Sequence, residues 1–259
     1  MILSLFLMNV LLMLCAWIWV TFNHRAGLVD VIWSLGIALN VLIASSVINE
    51  APTSVRIFLA IASGLWFSRL AWHLFRRYIR EEAEDTRYAN MRRAMGEHQH
   101  LGFLLFFLFQ AGLISLFSYP MIKLLSTPEI LWSNLTNLLL IISASIMLVA
   151  FIGEALADHQ LYQFKLNPNN RGKTMDQGLW EYSRHPNYFF EWLHWFAYPI
   201  LGVAAGAPWL WIYPILMWIF LYYLTGIPFS EQQALKNRGE NYKIYQQKTS
   251  IFIPWPPKK

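Results

Sequence analysis

The sequence predicts an all-helical, polytopic membrane protein, and three observations carry that reading. Hydrophobic residues make up 56% of the 259 residues and charged ones only 14%, far from the ~25% charged content of a soluble domain. Apolar runs of about 20 residues, long enough to cross a hydrocarbon core ~30 Å thick, recur from end to end. Basic residues collect in alternate connections between those runs, as the positive-inside rule requires.

The runs fall at 2–22, 28–48, 54–78, 101–124, 130–157, 188–205 and 207–227, which predicts about seven transmembrane helices with the N-terminus outside and the C-terminus cytoplasmic. The first lacks both a basic leader and a small-residue cleavage pattern, so it reads as a retained helix rather than a signal peptide. Cys15, the single cysteine, lies within it, which excludes an intrachain disulfide and leaves a packing role. Near the start of the second run stands Asp30, a carboxylate placed as well to complement a helix dipole as to do chemistry. The third leaves the membrane as a basic ladder in which Arg69, His73, Arg76 and Arg80 share one stripe. Arg76 and Arg77 suit snorkelling to headgroups, whereas Arg69 is deeper and costly to bury alone. The acidic cluster Glu81, Glu82, Glu84 and Asp85, followed by Arg87 and Tyr88, reads equally as a salt-bridged, solvated face. The fifth run ends with Glu154, Asp158 and Lys165 on one helical face. Only Gly206, Ala207 and Pro208 part the last two runs, so the sixth helix is expected to be short or re-entrant.

With the N-terminus outside, the inner segments hold 17 of the 20 basic residues and the outer connections only Arg56 and Lys123. Chemistry is therefore expected at the cytoplasmic face, where the polar segments 79–100, 158–187 and 228–259 lie. No internal repeat or separate soluble unit is visible, which leaves a single membrane domain over 1–259. Nothing in the sequence specifies an oligomer.

The stretch Gly178–Glu191, GLWEYSRHPNYFFE, reads as the wall of an active site. Arg184 and His185 are donors suited to phosphate or carboxylate oxygens, Pro186 stops any helix arriving from its N-terminal side, and Asn187 is a favoured N-cap for the helix that follows. Glu191 stands one turn further along the same face, where a carboxylate needs a partner. Interfacial anchoring is the competing reading for Arg184 and His185. The net charge of +5 does not point to nucleic acid, because membrane orientation accounts for the basic loops. The chain has no glycine-rich phosphate loop, no metal-ligand spacing and no nucleophile elbow, so no metal site is expected.

Four stretches together carry a resemblance: Gly178–Glu191, Glu154–Lys165, the element Asp85-Thr86-Arg87-Tyr88, and the ending Tyr242-x-x-Tyr245 through Ile253-Pro254. Over nearly the whole chain they resemble the steroid 5α-reductase-like integral membrane superfamily, in its bacterial uncharacterised branch. That superfamily is related to sterol reductases and isoprenylcysteine carboxyl methyltransferases. The resemblance implies that helices 1–3 and their inner loop (1–100) form the substrate side, while helices 4–7 and the tail (101–259) wrap NADPH. It implies that Asp158, Lys165, Arg184, His185, Asn187, Tyr188 and Glu191 hold the cofactor, joined by Glu154, Tyr182 and Tyr242. In the reductases a glutamine-glutamate pair and a tyrosine polarise the substrate carbonyl. Asp30 and Arg69, with His73 beside them, stand nearest those positions, and no tyrosine matches.

The function expected from this resemblance is NADPH-dependent reduction of a lipophilic enone or similar activated alkene, steroid- or isoprenoid-like, within the membrane. An acid or cation near Asp30 and Arg69 would stabilise the developing enolate oxygen. One rival is an S-adenosylmethionine-dependent membrane methyltransferase, whose family shares RHPxY, a late glutamate such as Glu231 and a tyrosine-rich tail. The other is a non-enzymatic lipid-binding protein of the same fold. The expected partners are a lipophilic small molecule and membrane lipids, and the expected location is the bacterial inner membrane with the active site facing the cytoplasm.

Overall fold

The computed structural model describes residues 1–80 and 83–258, and among these every regular element is helical, with no strand. Six of the described helices are long and apolar enough to cross a membrane, and the protein is an integral membrane protein whose apolar helix faces contact lipid. Glu81, Glu82 and Lys259 lie outside the described residues. The chain divides into two compact units, Met1–Trp132 and Ser133–Lys259.

The first unit contains α1 (Ile2–Asn23), α2 (Leu28–Val47), α3 (Thr53–Arg80), α4 (Thr86–Met95) and α5 (Gln99–Leu125). Apolar content alone cannot orient the membrane helices, because their outward faces are as apolar as their inward ones. Small and polar residues make the choice. On α1 the buried residues Leu5, Asn9, Met13, Ala16 and Val20 recur every three or four positions, while Leu3, Leu7, Leu11 and Phe22 are exposed. Gly36 lets α2 approach α5 closely, since a Cβ there would stand 2.8 Å from Ile114 Cδ1. Asn9 Nδ2 donates to Ser115 Oγ and Asn40 Nδ2 to Ser118 Oγ, each at 3.0 Å. Both serines pass their own protons to helix carbonyls, of Ala111 and Ile114. With no water in the hydrocarbon to satisfy an amide, these two bonds set the register of α5 against α1 and α2.

In the second unit α6 (Thr136–Leu166) is followed by α7 (Leu179–Tyr182), α8 (Pro186–His194), α9 (Ala197–Ala204), α10 (Ile212–Ile219), α11 (Ile227–Arg238) and α12 (Glu240–Lys248). At 1.5 Å per residue α6 is roughly 46 Å long, so its end carries Asp158 and Lys165 beyond a ~30 Å hydrocarbon core. The run 188–205 is not one helix but two, α8 and α9, broken at Trp195 and Phe196. Pro199 is the cause: it has no N–H for the Trp195 carbonyl four residues back, and its ring crowds that oxygen. Both halves lie along α6. Phe190 fits the space that a Cβ on Gly153 would fill, 2.4 Å away, and Ser143 Oγ donates to the Ala197 carbonyl at 2.9 Å.

Asn187 was expected to cap the helix after the RHPN turn, and the structure corrects this. The helix begins at Pro186 with His185 at the cap position, and Asn187 sits in the first turn. Proline favours the first helical position because the N–H it lacks would have no partner there. After α10 the chain makes a π turn over Phe220–Leu224, then bends at Gly226 into α11. A Cβ on Gly226 would lie 2.7 Å from the Leu221 carbonyl oxygen and 3.1 Å from the Tyr188 ring. That bend aims α11 at the RHPN turn.

Asn40→Ala is expected to lower unfolding stability in detergent by about 0.6–2 kcal/mol, the range for interhelical hydrogen bonds in membranes. The loss should fall near the low end, because Asn40 Oδ1 has no hydrogen-bond partner and Ser118 keeps its own acceptor. A thermal melt with no shift would remove this bond from the account of helix register.

Candidate active site

The second unit is organised around a carboxylate, Glu231, in the second turn of α11. Its Oε1 accepts from Arg184 Nε at 2.9 Å, His185 Nε2 at 2.9 Å and the Tyr242 hydroxyl at 2.8 Å. Its Oε2 accepts from Arg184 Nη2 at 3.3 Å and from the Gln246 amide. Arg184 Nη1 donates to the carbonyls of Gln246 at 2.9 Å and Thr249 at 3.0 Å. Four of the five guanidinium donors thus serve the protein itself, which makes Arg184 first a clamp between the RHPN turn, α11 and the end of α12.

The turn that presents these donors is held from both sides. Trp180 Nε1 donates to the Ala157 carbonyl of α6 at 3.0 Å, docking α7. On the tail side Ser183 Oγ donates to Phe252 O at 2.7 Å and receives the His185 N–H at 3.1 Å, while the Arg184 N–H meets Ser250 O at 2.8 Å. The buried Tyr245 hydroxyl donates to the Trp180 carbonyl, with Ser183 O at 3.3 Å. Burial first, then the neighbouring Glu231 charge, raises Tyr242 well above an ordinary phenol, and burial does the same for Tyr245. Both therefore stay protonated donors. Burial lowers His185 below the ordinary histidine range, outweighing its bond to Glu231, while Arg184 pushes the same way as burial. A neutral ring facing a carboxylate must carry its proton on Nε2.

A second polar group lies beside the first. Asn187 Nδ2 is 3.4 Å from Asp158 Oδ1, the Tyr188 ring stacks on His185 with centroids 5.5 Å apart, and the Tyr188 hydroxyl is 3.3 Å from Ser230 Oγ. Asp158, Asn187 and Tyr188 are all half-buried. Lys165 is exposed in the last turn of α6, and Tyr182 is exposed with its carbonyl receiving the Trp255 N–H at 2.9 Å. Glu154 and Glu191 are buried, the latter receiving Trp195 Nε1 at 3.4 Å.

In the first unit Asp30 meets an arginine, but that arginine is Arg87. Asp30 Oδ2 accepts from Arg87 Nη2 at 2.8 Å and Oδ1 from the Tyr88 hydroxyl at 2.7 Å. Arg87 also bonds Asp85, which Arg77 reaches at 2.9 Å, and Arg92 pairs with Glu84 at 2.8 Å. Burial pushes the Asp85 carboxyl up, but Arg87 and Arg77 outweigh it and hold it below the usual range. Arg77 lines a pocket of about 30 Å³ with Asp30, whereas Arg69 lies eight residues earlier on α3, about 12 Å along the axis. Arg69 instead lies over the Trp66 ring at 5.6 Å, and His73 is exposed. The segment that reads as a solvated face therefore supplies the partners of Asp30.

The fold and these two clusters define an integral membrane helical protein with carboxylate-centred polar sites at its helix ends. Residues 16–249 match the family described as a protein of unknown function, DUF1295, and the chain belongs to that family. It is 25% identical over 281 residues to the uncharacterized protein C594.04c of Schizosaccharomyces pombe, an alignment covering 97% of this chain and 78% of that one. No solved structure matches.

Two outcomes follow from the Glu231 cluster. Glu231→Gln keeps the shape but leaves the Arg184 charge uncompensated at 9% exposure, which should cost about 3–5 kcal/mol, as breaking a buried pair does. Proteolysis after the tail lysines should accelerate with it, and a parental melting temperature would contradict the clamp. The His185 contribution to stability is complete above its unfolded value near 6.5 and declines as pH falls toward its lower folded value. Melting between pH 7 and 5 should accordingly be less pH-dependent in His185→Gln than in the parent.

Proposed function

We propose that the protein is an NADPH-dependent reductase of a lipophilic enone or similar activated alkene, of the steroid 5α-reductase-like kind. We place it in the bacterial inner membrane with the second unit's polar end on the cytoplasmic side. The observation that carries this reading is the convergence of Asp158, Asn187, His185, Tyr188 and the Glu231 cluster at one end of the second unit. The donor set there fits a dinucleotide. The half-buried carboxylate of Asp158 and amide of Asn187, 3.4 Å apart, have the chemistry to meet ribose hydroxyls and a carboxamide. Exposed Lys165, seven residues beyond Asp158 and about 10 Å along the same face of α6, suits a phosphate. The protonated, buried donors on Glu231 keep the turn rigid, so these groups need little reordering to bind.

NADPH, when bound, supplies the hydride. The first unit supplies the polar groups for the substrate. Asp30, itself held by Arg87, holds the Tyr88 phenol in place, and a second phenol, Tyr78 of α3, lines the Asp30 pocket. Tyr88 is assigned to donate to the substrate oxygen, turning its O–H from Asp30, which positions it, with Arg69 and His73 further along the substrate side.

A second reading has its own support. Arg184, His185, Glu231 and Tyr242 form one hydrogen-bonded group, and these are the features shared with the S-adenosylmethionine-dependent membrane methyltransferases. Titrating the purified protein in detergent with NADPH, NADH and S-adenosylmethionine separates the two. NADPH is expected to bind, and Lys165→Ala should weaken it by about 1.5–3 kcal/mol, the worth of a charged hydrogen bond. Binding of the methyl donor with no binding of NADPH would replace the first reading by the second.

A further inference from the structure

The C-terminal tail folds back against α7, the RHPN turn and the end of α12 through backbone bonds. The Lys258 N–H meets Lys248 O at 2.9 Å, the Trp255 N–H meets Tyr182 O at 2.9 Å, and the Arg184 N–H meets Ser250 O at 2.8 Å. Between tail and helix lies a cleft of about 440 Å³. Arg184, Lys248 and Lys258 line it, and no carboxylate among the described residues does. Glu231 matches the Arg184 charge from the other side, so the two exposed lysines carry the positive excess. Gln247 and Ser250 add neutral donors on the wall. A cleft with fixed backbone walls, two compact cations and hydroxyl or amide donors has the chemistry of a phosphate site.

Its surroundings narrow the source of that phosphate. Trp255 on the cleft wall is 70% exposed, and Ile253 two residues before it is 55% exposed. An indole and an aliphatic side chain standing out beside lysines is the composition of a bilayer interface, where aromatic rings sit at headgroup level and basic side chains attract anionic lipid. We propose that this cleft is a phosphate-binding site, occupied by the headgroup of an anionic phospholipid. It shares Arg184 with the residues assigned to the dinucleotide, but Lys248 and Lys258 lie outside that set, so the site does not depend on that assignment. A phosphate in solution offers the same chemistry, and the test distinguishes the two sources.

The full chain in detergent would be examined by native mass spectrometry with phosphatidylglycerol, and by calorimetry with inorganic phosphate and with NADPH, for the parent, Lys248→Gln, Lys258→Gln and their combination. Thermal melts would accompany each variant, and Lys248→Arg, which keeps the charge, serves where a glutamine variant unfolds. Phosphatidylglycerol affinity is expected to fall by roughly tenfold or more in the double variant, in line with losing one or two charged hydrogen bonds, and to persist in Lys248→Arg. NADPH affinity should stay near parental. Loss confined to inorganic phosphate or NADPH, with lipid binding unchanged, would keep the phosphate site and overturn its lipid occupant. Failure of the parent to bind any of the three probes, or equal binding by parent and double variant, would overturn the site itself.

Discussion

A carboxylate enclosed by protein near a membrane is tolerable only if donors meet it, and the second unit is arranged to satisfy that demand at Glu231. Arg184, His185, Tyr242 and Gln246 all converge on it. Removing a charge from water is expensive, and the attraction it gains in exchange depends on close geometry with the remaining lone pairs filled. The cluster meets both conditions, and it gathers the RHPN turn, α11 and α12 at one carboxylate. The same arginine holds the end of α12 through the carbonyls of Gln246 and Thr249, and its backbone N–H holds the tail at Ser250 O. Fold and candidate site are therefore one arrangement here: a side chain that looks like a ligand donor is also the clamp that shapes the cleft and the turn.

Imperfections in the helices make that convergence possible. An unbroken helix through the RHPN stretch would run straight past α11. Instead Pro186 starts α8 abruptly, Pro199 breaks it from α9, and the π turn before Gly226 redirects the chain into α11. Each break releases backbone groups that must be satisfied where water is scarce. Ser143, buried on α6, donates to the Ala197 carbonyl and ties the start of α9 to α6 beside the break. Irregular backbone is retained where it sets the direction of a functional side chain, as π turns and kinks at functional sites commonly do.

The first unit solves a similar problem with a different residue set. Asp30, at the start of α2, is met by Arg87 and Tyr88 from the beginning of α4. Asp85 anchors that start by accepting the Arg87 N–H at 2.9 Å and receiving Arg77 from α3. Three helices are tied where they leave the apolar region, while Asn9 and Asn40 stitch the same unit deeper in. Charge at the ends and neutral amides within follow from depth, because an amide costs far less than an ion in hydrocarbon.

Membrane class and the approximate limits of the long spans were legible in the sequence, because length and hydropathy are properties of contiguous residues and the bilayer acts on each segment in turn. The run 188–205 folds instead as two short helices, leaving six long spans among the described residues where about seven were expected. Local chemistry was legible too: the RHPN turn, the carboxylate and lysine face of α6, and the proline and glycine positions. Pairing was not. Glu231 lies 46 residues from His185 and Asp30 lies 57 from Arg87, and no periodicity links such positions. Asp30 was matched with Arg69 because both sit on helices facing each other in sequence order, yet the guanidinium that meets it comes from a loop-helix junction that reads as solvated. Arg184 was read from the sequence without its main partner, since a charged residue announces that it needs a counter-charge but not where that counter-charge is. Which carboxylate closes on which arginine is decided only when the helices are packed, by the requirement that each buried charge be met at hydrogen-bonding distance.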